Sequence, residues 1–184
     1  MITGGTETSS NSVEFAMAEI IKNPEIKKKV RQELDLVVGK NRIVEEVDIH
    51  RLPYLKAVMK ETLRLHPALP LLVPHRPSKT NPTKWENPLK FDPGRFLGSK
   101  KWDFAGTDLN YLPFGSGRRI CPGTAMGERM ILYSLATLLH SFDWRMPDDS
   151  DKMDVTERFG IVLRKKVPLI ALPSPRLHSE ELYE

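Results

Sequence analysis

The sequence predicts a mainly α-helical chain with small β elements. Three observations lead there. Apolar residues recur at helical spacing in four separate stretches. Fifteen prolines among 184 residues cut the chain into short helices and coils. Strand signals are confined to a brief apolar run at 71–73 and to the segment 160–172.

Each element has a local reason. Residues 1–22 read as a helix because Val13, Ala16, Met17, Ile20 and Ile21 share one face. Asn23-Pro24 then supplies a stop and a new start, with Asn23 as cap and Pro24 at the first helical position. The second helix, 25–38, is amphipathic and ends at Gly39. A third runs over 53–65 and stops at His66-Pro67. From 67 to 96 the chain is proline-punctuated coil, and 97–112 is polar and irregular. A fourth helix spans 122–139, with Ile131, Leu135, Leu138, Leu139 and Phe142 forming a buried stripe. Residues 160–172 read as two strands around a turn at Lys165-Lys166.

Composition narrows the function classes. The net charge of +4 is too weak to argue for nucleic acid. A single cysteine excludes an internal disulfide framework. No apolar run approaches membrane-spanning length, so no membrane anchor is expected in this chain. The basic run KKKVR, 27–31, reads as a solvated helix face.

The one cysteine stands in PFGSGRRICPG, 113–123. Gly115, Gly117 and Gly123 allow sharp turns and close approach of a bulky planar group. Cys121 precedes Pro122, which makes it the expected N-cap of the fourth helix, where the helix dipole favours a thiolate. Arg118 and Arg119 add positive charge that can pair with an anionic ligand group. A thiolate beside a flat anionic ligand suits a haem iron. A lone cysteine is also commonly an inert core residue. Zinc does not fit, since CxxC and HExxH are both absent. A dinucleotide loop does not fit either, because GxGxxG would need glycine at Ile120.

Phe114-Gly-Ser-Gly117-Arg-Arg119-Ile-Cys121-Pro-Gly123 resembles the haem-binding signature of the cytochrome P-450 family, F-x-x-G-x-R-x-C-x-G, with each defining position filled. The wording around it is similar to the plant microsomal type. Three further motifs follow the family's order. GGTETS, 4–9, resembles its oxygen-activating motif. Gly4, Gly5 and Thr8 share a helix face, and the Thr8 hydroxyl is expected to bond a ligand or water rather than the preceding turn, loosening the helix there. ETLR, 61–64, resembles E-x-x-R, with Arg95 of Pro93-Gly-Arg-Phe96 as third partner and Gly94 where the family usually has glutamate. VPHRP, 73–77, resembles the segment that reaches a haem propionate.

The resemblance implies the C-terminal part of the cytochrome P-450 fold, as one partial domain over 1–184. It implies haem b (iron protoporphyrin), with Cys121 as proximal iron ligand and Arg119, His75, Phe114, Gly115 and Gly123 around the cofactor. Thr8 and Glu7 would deliver protons during oxygen activation, while Glu61, Arg64 and Arg95 would be structural. Leu71, Leu72, Val73, Phe159 and Ile161 would contact an apolar small-molecule substrate. The implied reaction inserts one oxygen atom of O2, with electrons from NADPH through a separate NADPH–cytochrome reductase. The implied location is the cytosolic face of the endoplasmic reticulum membrane. Some family members rearrange peroxides instead, but Thr8 in its acidic-Thr-Ser setting favours the users of O2. The family's N-terminal portion has no counterpart here, and a hairpin-length stretch is missing between Thr80 and Asn81. The alternative implied by those losses is a truncated non-catalytic fragment, at most a weak haem-binding module.

Overall fold

The computed structural model describes residues 2–69, 85–98, 102–147, 153–158, 160 and 162–183. Four α-helices carry the core: α1 (Ile2–Lys22), α2 (Pro24–Val37), α3 (Pro53–Leu65) and α4 (Thr124–Ser141). Two small antiparallel sheets complete it. β1 (Phe142–Arg145) pairs with β4 (Leu172–Pro175), with Phe142 opposite Pro175. β2 (Glu157–Arg158) pairs with β3 (Arg164–Lys165), with Glu157 opposite Lys165. The expected mainly α chain with small β elements is what folds.

The helices form where the apolar faces meet. Met17 and Ile20 of α1, Val30 and Leu34 of α2, Leu55, Val58 and Met59 of α3, and Ile131, Leu135 and Leu139 of α4 share one buried cluster. Burying such side chains stabilises by about 1.5–3 kcal/mol each relative to exposure. Pro24 and Pro53 both sit in the first helical turn, where a missing N–H is harmless. The cap of α3 is Leu52, which has no polar side chain. The carboxylate of Glu33 on α2 substitutes, accepting from Tyr54 N (2.7 Å) and Leu55 N (2.9 Å). One acidic side chain therefore caps a neighbouring helix and fixes the α2–α3 crossing.

Several local expectations are corrected. Asn23 does not cap α2 through its side chain. Its Nδ2 instead donates to the Glu19 carbonyl (2.8 Å), closing the end of α1. The run 27–31 is only partly a solvated face. Lys27 Nζ donates to the Trp144 carbonyl (2.7 Å) and Arg31 pairs with Asp143, so two of its cations tie α2 to β1. Burial lowers the pKa of Lys27. Phe142 opens β1 rather than ending α4. The C-terminal turn is not at Lys165-Lys166. Lys165 lies in β3, largely buried, and the connection between β2 and β3 falls around Gly160. Two lysines have no turn chemistry, whereas glycine does. The apolar run expected as a strand at 71–73 lies outside the described residues.

The described parts of 97–112, residues 97–98 and 102–112, are irregular as expected, yet 102–112 helps build a second core. Trp102 and Tyr111 pack with Trp85, and Phe96 and Phe104 lean on them. Trp85 and Trp102 stack at 4.7 Å between ring centroids.

Candidate functional site

The cysteine loop begins where that aromatic core ends. Phe104 meets Phe114 edge to face at 5.0 Å, and the Phe114 ring lies against Gly127 of α4. Gly115 and Gly117 both hold positive φ, +80° and +62°, which side chains other than glycine's rarely adopt. Between them and the helix, Gly117–Arg119 forms one 3-10 turn. The Cys121 N–H donates to the Phe114 carbonyl (2.9 Å), and the Thr124 hydroxyl donates to the Cys121 carbonyl (2.7 Å). The loop thus closes on itself around a free, half-buried thiol.

Cys121 is not the N-cap of the fourth helix. That helix starts at Thr124 with Gly123 as its cap, because Pro122 and Gly123 form a turn before the helical hydrogen bonds begin. Gly123 has ordinary negative φ, −90°. A side chain there would meet the Cys121 sulfur at 3.8 Å, so the sulfur lies over this glycine. Arg118 and Arg119 are both exposed.

α3 presents a buried ionic cluster. Glu61 is fully buried and accepts four hydrogen bonds. Two come from Arg64, Nε at 2.6 Å and a terminal nitrogen at 2.9 Å. The others come from Asp92 N (2.8 Å) and Arg95 Nε (3.3 Å). The guanidinium of Arg64 also lies over the Trp85 ring, 5.0 Å from its centroid. The structure therefore brings Glu61, Arg64 and Arg95 together and joins them to the aromatic core. A Cβ on Gly94 would stand 2.9 Å from Asp92 Oδ1, so a side chain there would displace the Asp92 carboxylate that accepts from Gly94 N.

On α1, Thr8 Oγ1 donates to the Gly4 carbonyl (2.7 Å). The hydroxyl serves the preceding turn after all, and the helix runs unbroken through this point. A serine or threonine hydroxyl one turn down reaches that carbonyl with little strain. Cβ atoms built on Gly4 and Gly5 meet nothing within 4 Å. Contacts among the described residues therefore do not demand either glycine. Glu7 pairs with Arg164 of β3 (2.8 Å) on the surface. Among the described residues, no hydrogen bond or ion pair joins Glu7 or Thr8 to the cysteine loop. A groove of about 710 Å³ does lie between α1 and α4, lined by Gly5, Ser9, Val13, Met130, Ser134 and Leu138 among others, but not by Thr8 or Cys121. His75, Leu71, Leu72, Val73, Phe159 and Ile161 lie outside the described residues.

Sequence reasoning missed Gly106. It holds φ +73°, and a Cβ there would stand 2.7 Å from the Gly115 carbonyl oxygen. The backbone of 106 is a platform directly against the cysteine loop. Its only signal was an isolated glycine in a polar stretch.

The described fold is helical, presents a lone thiol on a glycine-turned loop, and buries a Glu-Arg-Arg cluster at the end of α3. The chain belongs to the cytochrome P450 family, whose model matches residues 1–80 and 78–172. It is 44% identical to a flavonoid 3′,5′-hydroxylase of Solanum melongena, over the whole chain and 40% of that protein. It is 42% identical to cytochrome P450 98A1 of Sorghum bicolor, again over the whole chain and 40% of that protein. A zebra fish cytochrome P450 solved with progesterone superposes with a TM-score of 0.78 at 28% identity, covering 95% of this chain and 43% of that one. The chain thus spans about two fifths of the length of the curated relatives it matches. The alignment to the Solanum protein covers 209 positions against 184 residues, so 25 positions at least lack a counterpart here. No described helix is long and apolar enough to cross a membrane.

Family membership implies a haem cofactor, and the residues present fit one. The cysteine loop offers a soft sulfur donor and two exposed guanidinium groups within three residues of it, and α1 carries glycines that no contact among the described residues explains.

Proposed function

We propose that this chain carries the thiolate half of a haem-dependent monooxygenase. The observation that supports this most directly is the closed loop from Phe114 to Gly123, which displays the Cys121 sulfur while satisfying its own backbone. Cys121 would hold the iron. The chemistry a haem supplies when held by a cysteine thiolate is activation of O2 for insertion of one oxygen atom into substrate. Phe114, Gly115 and Gly123 would form the surface beneath the ring. Arg119, exposed and unencumbered by any ion pair among the described residues, would take a propionate, as would His75.

Thr8 spends its hydroxyl hydrogen on Gly4, so toward a ligand it offers acceptor lone pairs. Its part would be to orient a proton donor. Glu7, placed by Arg164, would supply protons from solvent. Electrons would come from NADPH through a separate reductase. The substrate would be an apolar small molecule, and the names of several relatives favour a flavonoid-like ring system.

Reconstitution tests this reading. The purified chain is loaded with haem, reduced, and exposed to carbon monoxide. The expected spectrum has the red-shifted Soret band of a thiolate-ligated carbonyl complex, lost in Cys121→Ala. A spectrum without that shift, or one that survives in Cys121→Ala, removes the ligand assignment.

A further inference from the structure

A second polar cluster lies away from the cysteine loop, at the C-terminal end of α3. His66 caps that helix, and its side chain is 8% exposed. Its ring stacks on Phe15 at 4.3 Å, nearly parallel. Both ring nitrogens face carboxylates. Nε2 lies 3.0 Å from Glu19 Oε1 on α1, and Nδ1 lies 2.8 Å from Glu157 Oε1 on β2.

With both carboxylates ionised, this geometry has one consistent protonation state. A neutral imidazole carries one N–H and one lone pair, and the lone pair would then oppose a carboxylate oxygen. Only the imidazolium donates to both. Three segments remote in sequence, 15–19, 66 and 157, converge on that one charge.

We propose that His66 is a protonation-dependent latch, whose imidazolium ties the β2–β3 hairpin to α1 and whose loss of a proton loosens it. The hairpin needs such a tie, because each strand pairs only two residues and so small a ladder is not stable alone. Among its other described ties, Arg164 to Glu7 is exposed on both sides and Leu163 N donates to the Ala68 carbonyl (2.8 Å), while the Leu163 and Lys165 side chains are buried.

The surrounding charges agree with this. Burial works against the charged ring, but the hydrogen bonds to Glu157 and Glu19 outweigh it and hold His66 above its ordinary pKa. From α1, Glu19 faces the ring directly, and Asn23 donates to its second oxygen (3.3 Å). From β3, Lys165 interacts with Glu19, Glu14 and Asp154, with Lys22 opposing. With the folded pKa raised, the latch stabilises fully below about pH 6.5 and fades as pH climbs through the folded value. Any effect on substrate rests on the resemblance-based reading above that Phe159 and Ile161 are substrate contacts; the latch itself does not.

Hydrogen exchange on the full chain, without haem, tests it. Protection factors, corrected for intrinsic exchange, are followed from about pH 6 to about pH 10 alongside the His66 Cε1–H resonance. Protection of residues 157–158 and 164–166 is expected to fall on the order of tenfold as His66 titrates, at a midpoint above about 6.5. Glu157→Gln, at a partly exposed position, should flatten that step even if His66→Gln fails to fold. The proposal is overturned if His66 titrates at or below about 6.5. It is equally overturned if hairpin protection shows no step at the His66 midpoint, or if Glu157→Gln leaves the step intact.

Discussion

Removing the carboxylate of Glu61 should cost this chain a large part of its stability. The side chain is fully buried and accepts four hydrogen bonds, two of them from Arg64, whose own side chain is 2% exposed. In Glu61→Ala the Arg64 guanidinium loses its buried counter-charge, and the Asp92 N–H loses its acceptor. Breaking a buried pair from one side costs about 3–5 kcal/mol. Whole domains are stable by only about 5–15 kcal/mol. For a chain of this size each kcal/mol moves the melting midpoint about 2–4 °C, so the drop should be roughly 6–20 °C. Glu61→Gln keeps an acceptor but not the charge and should fall between. The exposed pair Arg129–Glu46, with side chains 56% and 60% exposed, serves as the control. Glu46→Gln should stay within about 2 °C of the parent. Thermal unfolding followed by circular dichroism reads all three. A Glu61→Ala midpoint no lower than that of Glu46→Gln would refute the idea that the cluster is desolvated and coupled.

Two further perturbations probe other parts of the fold. Arg42 donates to both oxygens of Asp48 (2.7 and 2.8 Å), and this pairing, helped by the Glu45 N–H, holds the Asp48 carboxyl at about 2 despite burial. The folded pKa is depressed, so the contribution is present above about pH 4 and lost as pH falls towards about 2. Melting curves of the parent and Asp48→Asn should differ near neutrality and converge in that acid window; parallel curves would contradict it. Gly106→Ala forces a Cβ to 2.7 Å from the Gly115 carbonyl at φ +73°. Urea unfolding should register a loss of about 1–3 kcal/mol, and an unchanged midpoint would mean that 106 does not support the cysteine loop.

How much of this was legible depended on whether the cause was local. Pro24, Pro53 and the apolar stripes announce their helices from neighbours within a turn, and α3 falls on 53–65 as expected. The cysteine loop was legible because its signature packs turn glycines, arginines and the thiol into ten residues. The start of α4 was misread by two residues. Pro122 can open a helix, but here it enters the turn that Gly123 completes. The cap on α3 was invisible, since the accepting carboxylate of Glu33 comes from another helix. So was the role of 97–112, where Trp102, Phe104 and Tyr111 sit among polar residues and find their partners only in space. The His66 cluster was hidden for the same reason: Glu19 and Glu157 stand 47 and 91 positions away.

The way the cysteine loop spends its main-chain groups has a practical consequence. The N–H of Cys121 goes to Phe114 and its carbonyl to Thr124, so the sulfur bears none of the weight of the local architecture. Socket and plug are separable. Serine, alanine or selenocysteine should seat at 121 without reshaping their surroundings, which lets the donor atom be exchanged as a chemical variable while the scaffold stays constant.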